Sequence, residues 1–415
     1  MRVCVLGAGV VGLTSAYQLA RDGHDVTILE GRDGAALEAS FANGGQLSYS
    51  YVAPLADPSV LPHLPAWLLQ SDSALRFVPR LDPHQWRWCL SFLLACRASR
   101  ARQTAIEMLQ LGALSREVLH DLVQRESIDF SYVRNGKLVV YRDPQAFDAA
   151  SRKMAVLQAA GSEQSALDAA ACVALEPALE RARPLLAGGI HTPSEEAGDC
   201  HAFSTALARV LTTRYGVAIH YDTPVDSIVM ERNTAVAVRT PRGEIGAEAF
   251  VLALGNGSAP LMHELGMRLP IYPLTGYSLT IDGASAHAPR VSVTDLHRKV
   301  VYAPLGGRLR IAGMVEITGG SVAQRERRLA LLKRQAQEIF PEAGDYAAAH
   351  TWCGHRPATP DSKPLIGATP YRNLWLNTGH GALGFTLACG SARVIADAIA
   401  GRKPPLDPGA YAWQR

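Results

Sequence analysis

Three glycines near the start of the chain, Gly7, Gly9 and Gly12, lie between an apolar run at 2–6 and a helical pattern at 13–21. Each glycine has its own physical role: Gly7 permits a tight turn, Gly9 lets backbone approach a pyrophosphate, and Gly12 lets helix and strand pack closely. The amides at the helix start would hold the diphosphate, aided by the helix dipole. The spacing predicts a dinucleotide site at this turn. A glycine-rich turn without a ligand is the alternative.

An acidic residue, Glu30, ends the next apolar run at 25–29, 18 residues after Gly12. A carboxylate there accepts hydrogen bonds from ribose hydroxyls and disfavours the 2′-phosphate of NADP. The complete strand, turn, helix and strand make this motif far more specific than the glycines alone. A single such unit, with no second one later in the chain, favours a flavoprotein that carries FAD as its one dinucleotide.

Other small-residue stretches are expected at the same site. The stretch 38–48 contains small residues and paired glycines, which suggests backbone packed against a ligand; an ordinary loop is the alternative. An apolar strand at 249–254 runs into 255–258, which indicates that the dinucleotide domain resumes there. A last strand at 373–377 enters a second glycine-rich turn at 378–386, which we expect to return to the first site.

Composition excludes several other classes of protein. The 415 residues are 48% hydrophobic and 19% charged with a net charge of +3, and no basic stripe is present, so nucleic-acid binding is not expected. Seven scattered cysteines lack zinc spacing, which argues against a metal and favours reduced thiols in the cytosol. Neither a signal peptide nor an uncharged apolar stretch of roughly 18 residues is found. The expected protein is soluble or at most peripheral.

The middle of the chain predicts a second, sheet-containing region. The expected elements are strands at 136–141 and 188–192, helices at 103–125, 145–160, 164–183 and 321–340, and an antiparallel meander at 271–281 and 300–317 with a hairpin turn at 305–308.

Residues 54–103 combine prolines and aromatic side chains with arginines. Pro54, Pro58, Pro62 and Pro65 precede two apolar stretches at 67–69 and 86–96, and Arg97, Arg100 and Arg102 follow. Aromatic residues beside a basic cluster are typical of a membrane-surface or partner contact. A buried helix of the second domain is the alternative that the apolar residues favour.

Several motifs occur in one order along nearly the whole chain, from residue 1 to about residue 411. They are the glycine motif with Glu30, then 40–46, 198–200, 272–280, 352–361 and 377–381. Together they resemble the catalytic FAD subunit of bacterial D-amino acid dehydrogenases, within the glycine oxidase and D-amino acid oxidase superfamily. The motifs at 356–361 and 377–381 are specific for the superfamily, and those at 198–200 and 276–280 narrow the resemblance to the dehydrogenases.

The resemblance implies an α/β plus α+β fold, with a Rossmann-like FAD-binding domain and a discontinuous antiparallel-sheet substrate domain. The implied FAD-binding segments are 1–55, 198–258 and 351–415, and the implied substrate-domain segments are 56–197 and 259–350.

The implied reaction is oxidative deamination of D-amino acids to 2-oxo acids and ammonia, with electrons passed to a quinone or a carrier. The implied location is cytoplasmic, or peripheral on the inner face of the cytoplasmic membrane with a membrane or partner-subunit contact through 54–103.

Two alternatives stay open. One is a sister amine oxidoreductase acting on D-proline, hydroxyproline, glycine or sarcosine, including a cyanide-forming glycine dehydrogenase; the other is a non-catalytic flavin electron-transfer subunit.

Three side chains are expected at the substrate. Arg356 would bind the substrate carboxylate, because a planar guanidinium binds a carboxylate with two parallel hydrogen bonds; a salt bridge is the alternative. Tyr277 would donate its hydroxyl to the same carboxylate, or be a core aromatic. His380, between two glycines, would lie near the flavin ring, or be structural. Hydride transfer itself requires no acid–base residue, because the amine can lose its proton first.

The residues expected to hold FAD come from all three implied FAD-binding segments and from the motif around Arg356. Leu383 to Thr386 begin the last helix, whose positive end would stabilise the anionic reduced ring. Covalent attachment through Cys353 or His380 is left open, and Asp199 is expected to cap a helix that starts near His201. The full set is Gly7, Gly9, Val10, Val11, Gly12, Glu30, Gly31, Arg32, Ser40, Asn43, Gly44, Gly45, Gln46, Leu47, Val225, Gly255, Gly354, Gly379, Gly381, Leu383, Gly384, Phe385 and Thr386.

The chain departs from the usual pattern of the family at four positions. Thr275 stands where Lys is frequent, His355 where Leu is common, Gly44 where Ala is frequent, and Phe385 where Trp is usual. These departures leave the family assignment intact but put the preferred amino acid in doubt.

Overall fold

The computed structural model describes residues 1–52, 54–64, 73–159 and 163–415. Pro65 and the apolar stretch 67–69 lie outside the described residues. The strands, in chain order, are β1 (Arg2–Leu6), β2 (Asp25–Leu29), β3 (Gln46–Leu47), β4 (Leu75–Phe77), β5 (Lys137–Tyr141), β6 (Ser165–Leu167), β7 (Gly188–Thr192), β8 (Glu196–Ala197), β9 (Ala218–His220), β10 (Ser227–Glu231), β11 (Thr234–Thr240), β12 (Gly243–Gly246), β13 (Ala249–Leu252), β14 (Tyr272–Ile281), β15 (Ser292–Asp295), β16 (Val300–Leu305), β17 (Arg308–Ile317), β18 (His350–Ala358), β19 (Leu365–Ala368) and β20 (Leu374–Thr378).

The helices of the described residues include short 3₁₀ turns, two of which follow strands of the first sheet, at Gly255–Gly257 and Gly381–Leu383. The α-helices are α1 (Val10–Arg21), α2 (Pro83–Ala95), α3 (Ala98–Glu126), α4 (Pro144–Ala159), α5 (Ala169–Leu175), α6 (Cys200–Arg214), α7 (Ser258–Glu264), α8 (Arg325–Ile339) and α9 (Gly384–Ile399).

The first sheet has six strands in the order β19-β20-β13-β1-β2-β9. All neighbours are parallel except β19 and β20. Its strands are continuous apolar runs because both faces are covered: one by α1, α3, α6 and α9, the other by α7 and the small β10-β11-β12 sheet. The strands predicted at 2–6, 25–30, 249–254 and 373–377 are therefore confirmed as members of one sheet.

The second sheet is mixed, with the order β18-β14-β17-β16-β15-β5-β7-β6 and β4 added beside β17. The predicted meander is confirmed: β14, β17 and β16 are antiparallel neighbours, and β16 turns into β17 at 305–308. Helix α8 packs on one face, where Leu332 meets Leu279 and Ile311. Helix α2 covers one end of the other face.

Two of the predicted segment boundaries do not follow the sheets. Helix α3, within the segment 56–197, packs against α9 so closely that an added Cβ at Gly390 would lie 2.9 Å from the carbonyl oxygen of Leu111, so α3 lies with the first sheet. Strand β18, which starts at the boundary of 351–415, pairs with β14 in the second sheet. The helical stretch predicted around 164–183 is confirmed in part: residues 165–167 form β6, which pairs with β7, and α5 and a 3₁₀ segment follow β6 in the chain.

Among the described residues, one helical stretch, Gly381–Ile399, is long and apolar enough to cross a membrane by length and composition. Two-thirds of it is buried inside the protein, against α1 and α3. Its apolar character is therefore explained by its place in the core of the first sheet.

Candidate active site

The loops that follow β1, β2, β13 and β20 converge, because the carboxyl ends of parallel strands lie at one edge of a sheet. Ser40, in the loop after β2, accepts a hydrogen bond from the Val10 amide at 3.1 Å. Ser258, after β13, bonds Thr378 at the end of β20, with 2.9 Å between hydroxyl oxygens. The glycine-rich stretches of the sequence thus form one edge, as the sequence predicts.

The first glycine turn fits a dinucleotide diphosphate. Gly7 has a φ of +104°, and an added Cβ at Gly12 would overlap its carbonyl oxygen, so neither position accepts a side chain. At Gly9 the nearest atom to an added Cβ is a single hydroxyl oxygen at 3.6 Å, which leaves space for a ligand beside the backbone. The first backbone bond of α1 runs from the Leu13 amide to the Gly9 carbonyl at 3.0 Å, and the Ala8 and Val10 amides have protein acceptors. The amides left for a ligand at this turn, among the described residues, are those of Gly9, Val11 and Gly12.

Glu30 lies beside this turn, where a ribose is expected. Its carboxylate accepts from the Ala8 amide at 2.7 Å and from the Arg32 amide at 2.9 Å. The other predicted contacts of this region lie farther out. The Arg32 side chain is exposed and paired with Glu38, and an added Cβ at Gly31 would contact Pro224 at 3.5 Å; Val225 packs against the apolar cluster under the sheet.

The segment 40–47 runs between the two sheets. The Ser278 hydroxyl donates to the Ala42 carbonyl at 2.7 Å, and Arg310 donates to the Asn43 carbonyl at 2.9 Å. The Gln46 amide donates to the Val293 and Tyr302 carbonyls, and Leu47 is buried in the core under the first sheet. The backbone of this segment is therefore held at the junction of the two sheets.

Gly44 and Gly45 allow this segment to lie close to the second sheet. An added Cβ at Gly44 would be 3.1 Å from Val301, and one at Gly45, where φ is +66°, would be 3.2 Å from Leu305. Protein side chains thus occupy the space that these glycines were expected to open to a ligand. Close packing of the two sheets explains both glycines.

Strand β18 joins the second sheet to this edge. Ala358 forms a β-bridge with His380, and Asn256 donates to the His355 carbonyl at 2.9 Å. An added Cβ at Gly255 would be 3.7 Å from Pro357. These contacts place Arg356 next to the glycine turns after β13 and β20.

The Arg356 guanidinium lies flat over Gly276 and donates to the Met314 carbonyl at 3.0 Å. Burial lowers the pKa of Arg356 to about 10, so the side chain is still charged at neutral pH. Within the described ranges no carboxylate lies within ion-pair distance of this guanidinium, and burial alone accounts for the shift. A half-buried cation whose guanidinium has no acidic partner among the described residues is chemically suited to bind an anionic ligand.

Trp352, which the sequence analysis did not select, lies beside Arg356 on the same face of the sheet. Gly276 and Gly354 are directly opposite each other across β14 and β18, and an added Cβ at Gly354 would collide with the Trp352 ring. Gly354 was expected to contact the cofactor; here the indole covers it. Two glycines in the interiors of neighbouring strands were the available signal, since such glycines mark a close approach.

Tyr277 does not share a site with Arg356. Side chains alternate across a strand, so Tyr277 points to the face that carries α8, opposite to Arg356. It is 1% exposed, and its hydroxyl donates to Glu316 at 2.6 Å. The prediction that it binds the same carboxylate is wrong, and the core-aromatic alternative holds. Cys353 opposes Tyr277 in the register and shares its face, so it is also turned away from the glycine edge.

His380 is a buried, neutral residue. Its Nε2 lies 3.0 Å from the Ser391 hydroxyl in α9, and burial lowers its pKa to about 3. A group with this pKa is uncharged at physiological pH and is a weak base. His380 stands at the glycine turn as expected, but its contacts favour the structural alternative.

Helix α9 begins at this edge with no side-chain cap on its first turn. Phe385 turns away and packs on Phe130 and Phe203, and Thr386 accepts from the Ser48 amide at 3.2 Å. Gly379 and Gly381, with φ of +75° and +56°, let the chain turn into the helix. The start of α9 therefore offers backbone amides to a ligand, while these two side chains have protein partners.

Asp199 caps α6 as predicted, accepting from the amides of His201 and Ala202 at 3.0 and 3.1 Å. Its second carboxylate oxygen accepts from Arg308 at 2.8 Å. Asp199 therefore ties α6 to the hairpin of the second sheet and has a structural role.

Comparison with known families and curated proteins gives one consistent result. The model of the FAD dependent oxidoreductase family matches residues 2–398. A D-amino acid dehydrogenase 2 of Pseudomonas aeruginosa is 51% identical over 408 residues, which is 98% of this chain and 96% of the relative. A D-amino acid dehydrogenase 2 of Ralstonia nicotianae is 45% identical over 425 residues, with both chains fully covered.

Solved structures share the fold at lower identity. A glycine oxidase from Bacillus cereus superposes with a TM-score of 0.74 at 21% identity, covering 97% of this chain and 96% of the other. An L-proline dehydrogenase from P. horikoshii superposes with a TM-score of 0.77 at 18% identity, covering 100% and 97%. At these identities the likeness establishes the architecture.

Proposed function

This chain belongs to the FAD dependent oxidoreductase family, and from that premise we propose that it oxidises D-amino acids to 2-oxo acids and ammonia. Curated relatives of nearly equal length are D-amino acid dehydrogenases at 40–51% identity. FAD, when bound, supplies the acceptor for the hydride that leaves the α-carbon. Residues suited to hold it are the glycine turn with Glu30, the segment 40–47, and the start of α9.

The observation that carries the proposal is the Arg356 guanidinium, which has no carboxylate within ion-pair distance in the part of the chain that the structure describes. A guanidinium presents two parallel donors to a carboxylate and fixes its plane as well as its position. The guanidinium lies over Gly276, two residues before Ser278, whose hydroxyl bonds the segment 40–47, so a carboxylate bound there is held at the junction of the two sheets. Fixing one end of the substrate in this way reduces the orientations open to the α-carbon.

The substrate amine must be neutral before the hydride leaves, and no residue of this edge is required to take its proton. His380 is a poor acceptor because burial lowers its pKa to about 3. His355 points to the opposite face of β18, where its Nδ1 lies 3.1 Å from the Thr275 hydroxyl. We infer that the amine binds in its neutral form, having lost its proton to water.

The test is anaerobic mixing of the purified, FAD-loaded protein with a panel of D- and L-amino acids, followed by flavin absorbance. We expect bleaching by several D-amino acids and by no L-enantiomer. Arg356→Met is expected to keep FAD while the substrate concentration for half-maximal bleaching rises at least about 100-fold, since a charge-assisted bidentate pair is lost.

Other results would redirect the proposal. Bleaching only by glycine, sarcosine or a proline derivative would assign a sister activity of the same fold. Failure of every amino acid to bleach bound flavin would favour a non-catalytic electron-transfer subunit.

We further propose that electrons pass to a quinone or another carrier, at a membrane surface contacted by α2. The buried face of α2 packs Trp88 and Phe92 against Tyr272 and Leu274, next to Arg356 in the sheet. Its other face is exposed: Trp86 is 50% and Leu90 60% accessible, and Leu81, Leu93 and Leu94 are also exposed. The two predictions for residues 54–103, a membrane or partner contact and a buried helix, therefore describe two faces of α2.

The surroundings of this exposed face are basic. Arg87, Arg97, Arg100 and Arg102 are all exposed, whereas Asp82 is turned to the protein and caps α2 through the His84 amide. Apolar side chains ringed by arginines match an anionic phospholipid surface, which supports a peripheral location on the cytoplasmic face of a membrane.

Sedimentation with vesicles tests this contact. We expect binding to vesicles with 30% anionic phospholipid at low salt and loss of at least about ten-fold in Leu90→Asp/Leu93→Asp, since each buried methylene contributes about 0.8 kcal/mol. The matched control is Leu185→Asp, which changes an equally apolar side chain, 44% exposed, elsewhere on the surface. Equal binding by both variants, or none by the unmodified protein, would contradict the proposal.

A further inference from the structure

The face of the second sheet that carries Arg356 has a patch without Cβ atoms near one edge of the sheet. Gly276 of β14 and Gly354 of β18 oppose each other in the register, so neither strand contributes a Cβ there. The next residue of β14 on this face, Ser278, bonds the segment 40–47 through Ala42. The patch therefore lies at the junction with the first sheet.

Two side chains lie over this patch from the same strand. The guanidinium of Arg356 covers Gly276, and the six-membered ring of Trp352 covers Gly354. Directly opposed residues of antiparallel strands have α-carbons about 4.5–5.5 Å apart, so the cation and the ring are immediate neighbours. Both side chains are only partly buried, which leaves their upper surfaces accessible.

Resting on the function proposed above, we propose that Trp352 forms the wall of the substrate side-chain pocket and selects D-amino acids with apolar, above all aromatic, side chains. A carboxylate paired with Arg356 has its α-carbon one bond away, within reach of the adjacent indole. An indole face gains free energy from contact with an apolar or aromatic group. Trp352 is a specificity-determining residue in this arrangement and takes no part in the chemistry.

The charges near the patch favour a substrate with an apolar side chain. Arg356 lies over the patch and Arg310 lies on the same face beside Thr280; among the described residues neither guanidinium has a carboxylate within ion-pair distance. A cationic side chain would find repulsion from Arg356, and an anionic one would compete with the α-carboxylate for it. A neutral side chain avoids both costs.

The experiment compares Trp352→Ala and Trp352→Phe with Thr351→Ala, an exposed neighbour on the opposite face. For each FAD-loaded protein, kcat/KM is measured for D-alanine, D-leucine, D-phenylalanine and D-lysine. Dissociation constants of phenylacetate and acetate are measured separately from the flavin difference spectrum. These dissociation constants measure binding in the pocket without catalytic turnover.

We expect Trp352→Ala to lose at least about ten-fold in kcat/KM for D-phenylalanine and D-leucine, and less than about three-fold for D-alanine. Phenylacetate should weaken about ten-fold while acetate is unchanged, and Trp352→Phe should retain most of both. Equal losses for all substrates, or the largest loss for D-lysine, would overturn the inference. Failure of the unmodified protein to oxidise any of the four D-amino acids would refute the proposed function instead, and phenylacetate binding would then decide the pocket by itself.

Discussion

Replacing Gly276 by alanine tests the placement of the Arg356 guanidinium through a single methyl group. The added Cβ would stand 2.4 Å from Cζ, Nη1 and Nη2 of Arg356, whereas non-bonded carbon contacts are about 3.5–4.0 Å. The guanidinium must therefore shift by more than about 1 Å, and its 3.0 Å hydrogen bond to the Met314 carbonyl is expected to break. Strand backbone accepts alanine, and the obstructing atoms are the free end of a flexible side chain, so the fold should survive.

The expected functional loss is large compared with this small structural change. A misplacement of about 1 Å can cost about 100-fold in rate, and one lost hydrogen bond to a charged group costs about 1.5–3 kcal/mol. We expect kcat/KM for a D-amino acid to fall about 10- to 100-fold in Gly276→Ala, mainly through KM, because the carboxylate contact exists in ground and transition states alike.

The assay is steady-state kinetics with an artificial electron acceptor, together with FAD content and melting temperature. Gly307→Ala is the matched control, because no atom lies within 4 Å of its added Cβ. In the Arg356→Met background, Gly276→Ala should add little, since both changes act on one interaction. Activity within two-fold of the unmodified enzyme would refute the reasoning, as would an undiminished effect in the Arg356→Met background.

Three further predictions concern the cofactor edge. The pKa of His380 is lowered from 6.5 to about 3, so between these pH values the unfolded state binds a proton that the native state excludes. The contribution of His380 to the free energy of unfolding should therefore fall by up to about 1.4 kcal/mol per pH unit below pH 6.5 and be constant above it. His380→Gln should remove this pH dependence in denaturant titrations at fixed FAD concentration. Glu30→Ala should raise the dissociation constant of FAD at least about ten-fold by fluorescence quenching, as hydrogen bonds to its carboxylate are lost, whereas Glu248→Ala, near the opposite end of the sheet, should not. Gly12→Ala should yield protein without FAD and with a lowered melting temperature, because its Cβ would overlap the Gly7 carbonyl oxygen; a yellow, stable variant would show that this turn is wrongly described.

The parts of the site that follow from sequence are those fixed over short distances. The first strand, glycine turn, helix and second strand occupy residues 2–29, where hydrophobic period and glycine position act on neighbouring residues. The Asp199 cap is likewise decided within three residues. Such features depend on backbone geometry alone, so the printed sequence is sufficient to predict them.

The errors arose where pairing between distant segments decides the outcome. Tyr277 and Gly276 are neighbours in the chain, but a strand sends them to opposite faces, and only pairing of β14 with β18 and packing of α8 determine which face meets the first sheet. Helix α3 is amphipathic in either domain, and its attachment to α9 depends on the close approach of Gly390 to Leu111. Neither the face on which Tyr277 lies nor the sheet against which α3 packs can be predicted from local composition or hydrophobic period.

The desolvation of the Arg356 guanidinium is unfavourable in the ligand-free protein, and this cost points to a binding site for an anion. Burial lowers its pKa, yet the side chain keeps its charge at neutral pH with the Met314 carbonyl as its hydrogen-bond acceptor. Arg142, beside the second sheet, is matched by Asp295 and Glu338, whereas Arg310 of β17 is bonded to the Thr280 hydroxyl and the Asn43 carbonyl, which occupy its Nε and Nη1 donors. A bound carboxylate would supply the partner that Arg356 lacks and offset its desolvation, so the cost is relieved only in the complex. Because the guanidinium is already fixed over Gly276, binding need not order it, and the affinity gained goes to holding the substrate in place.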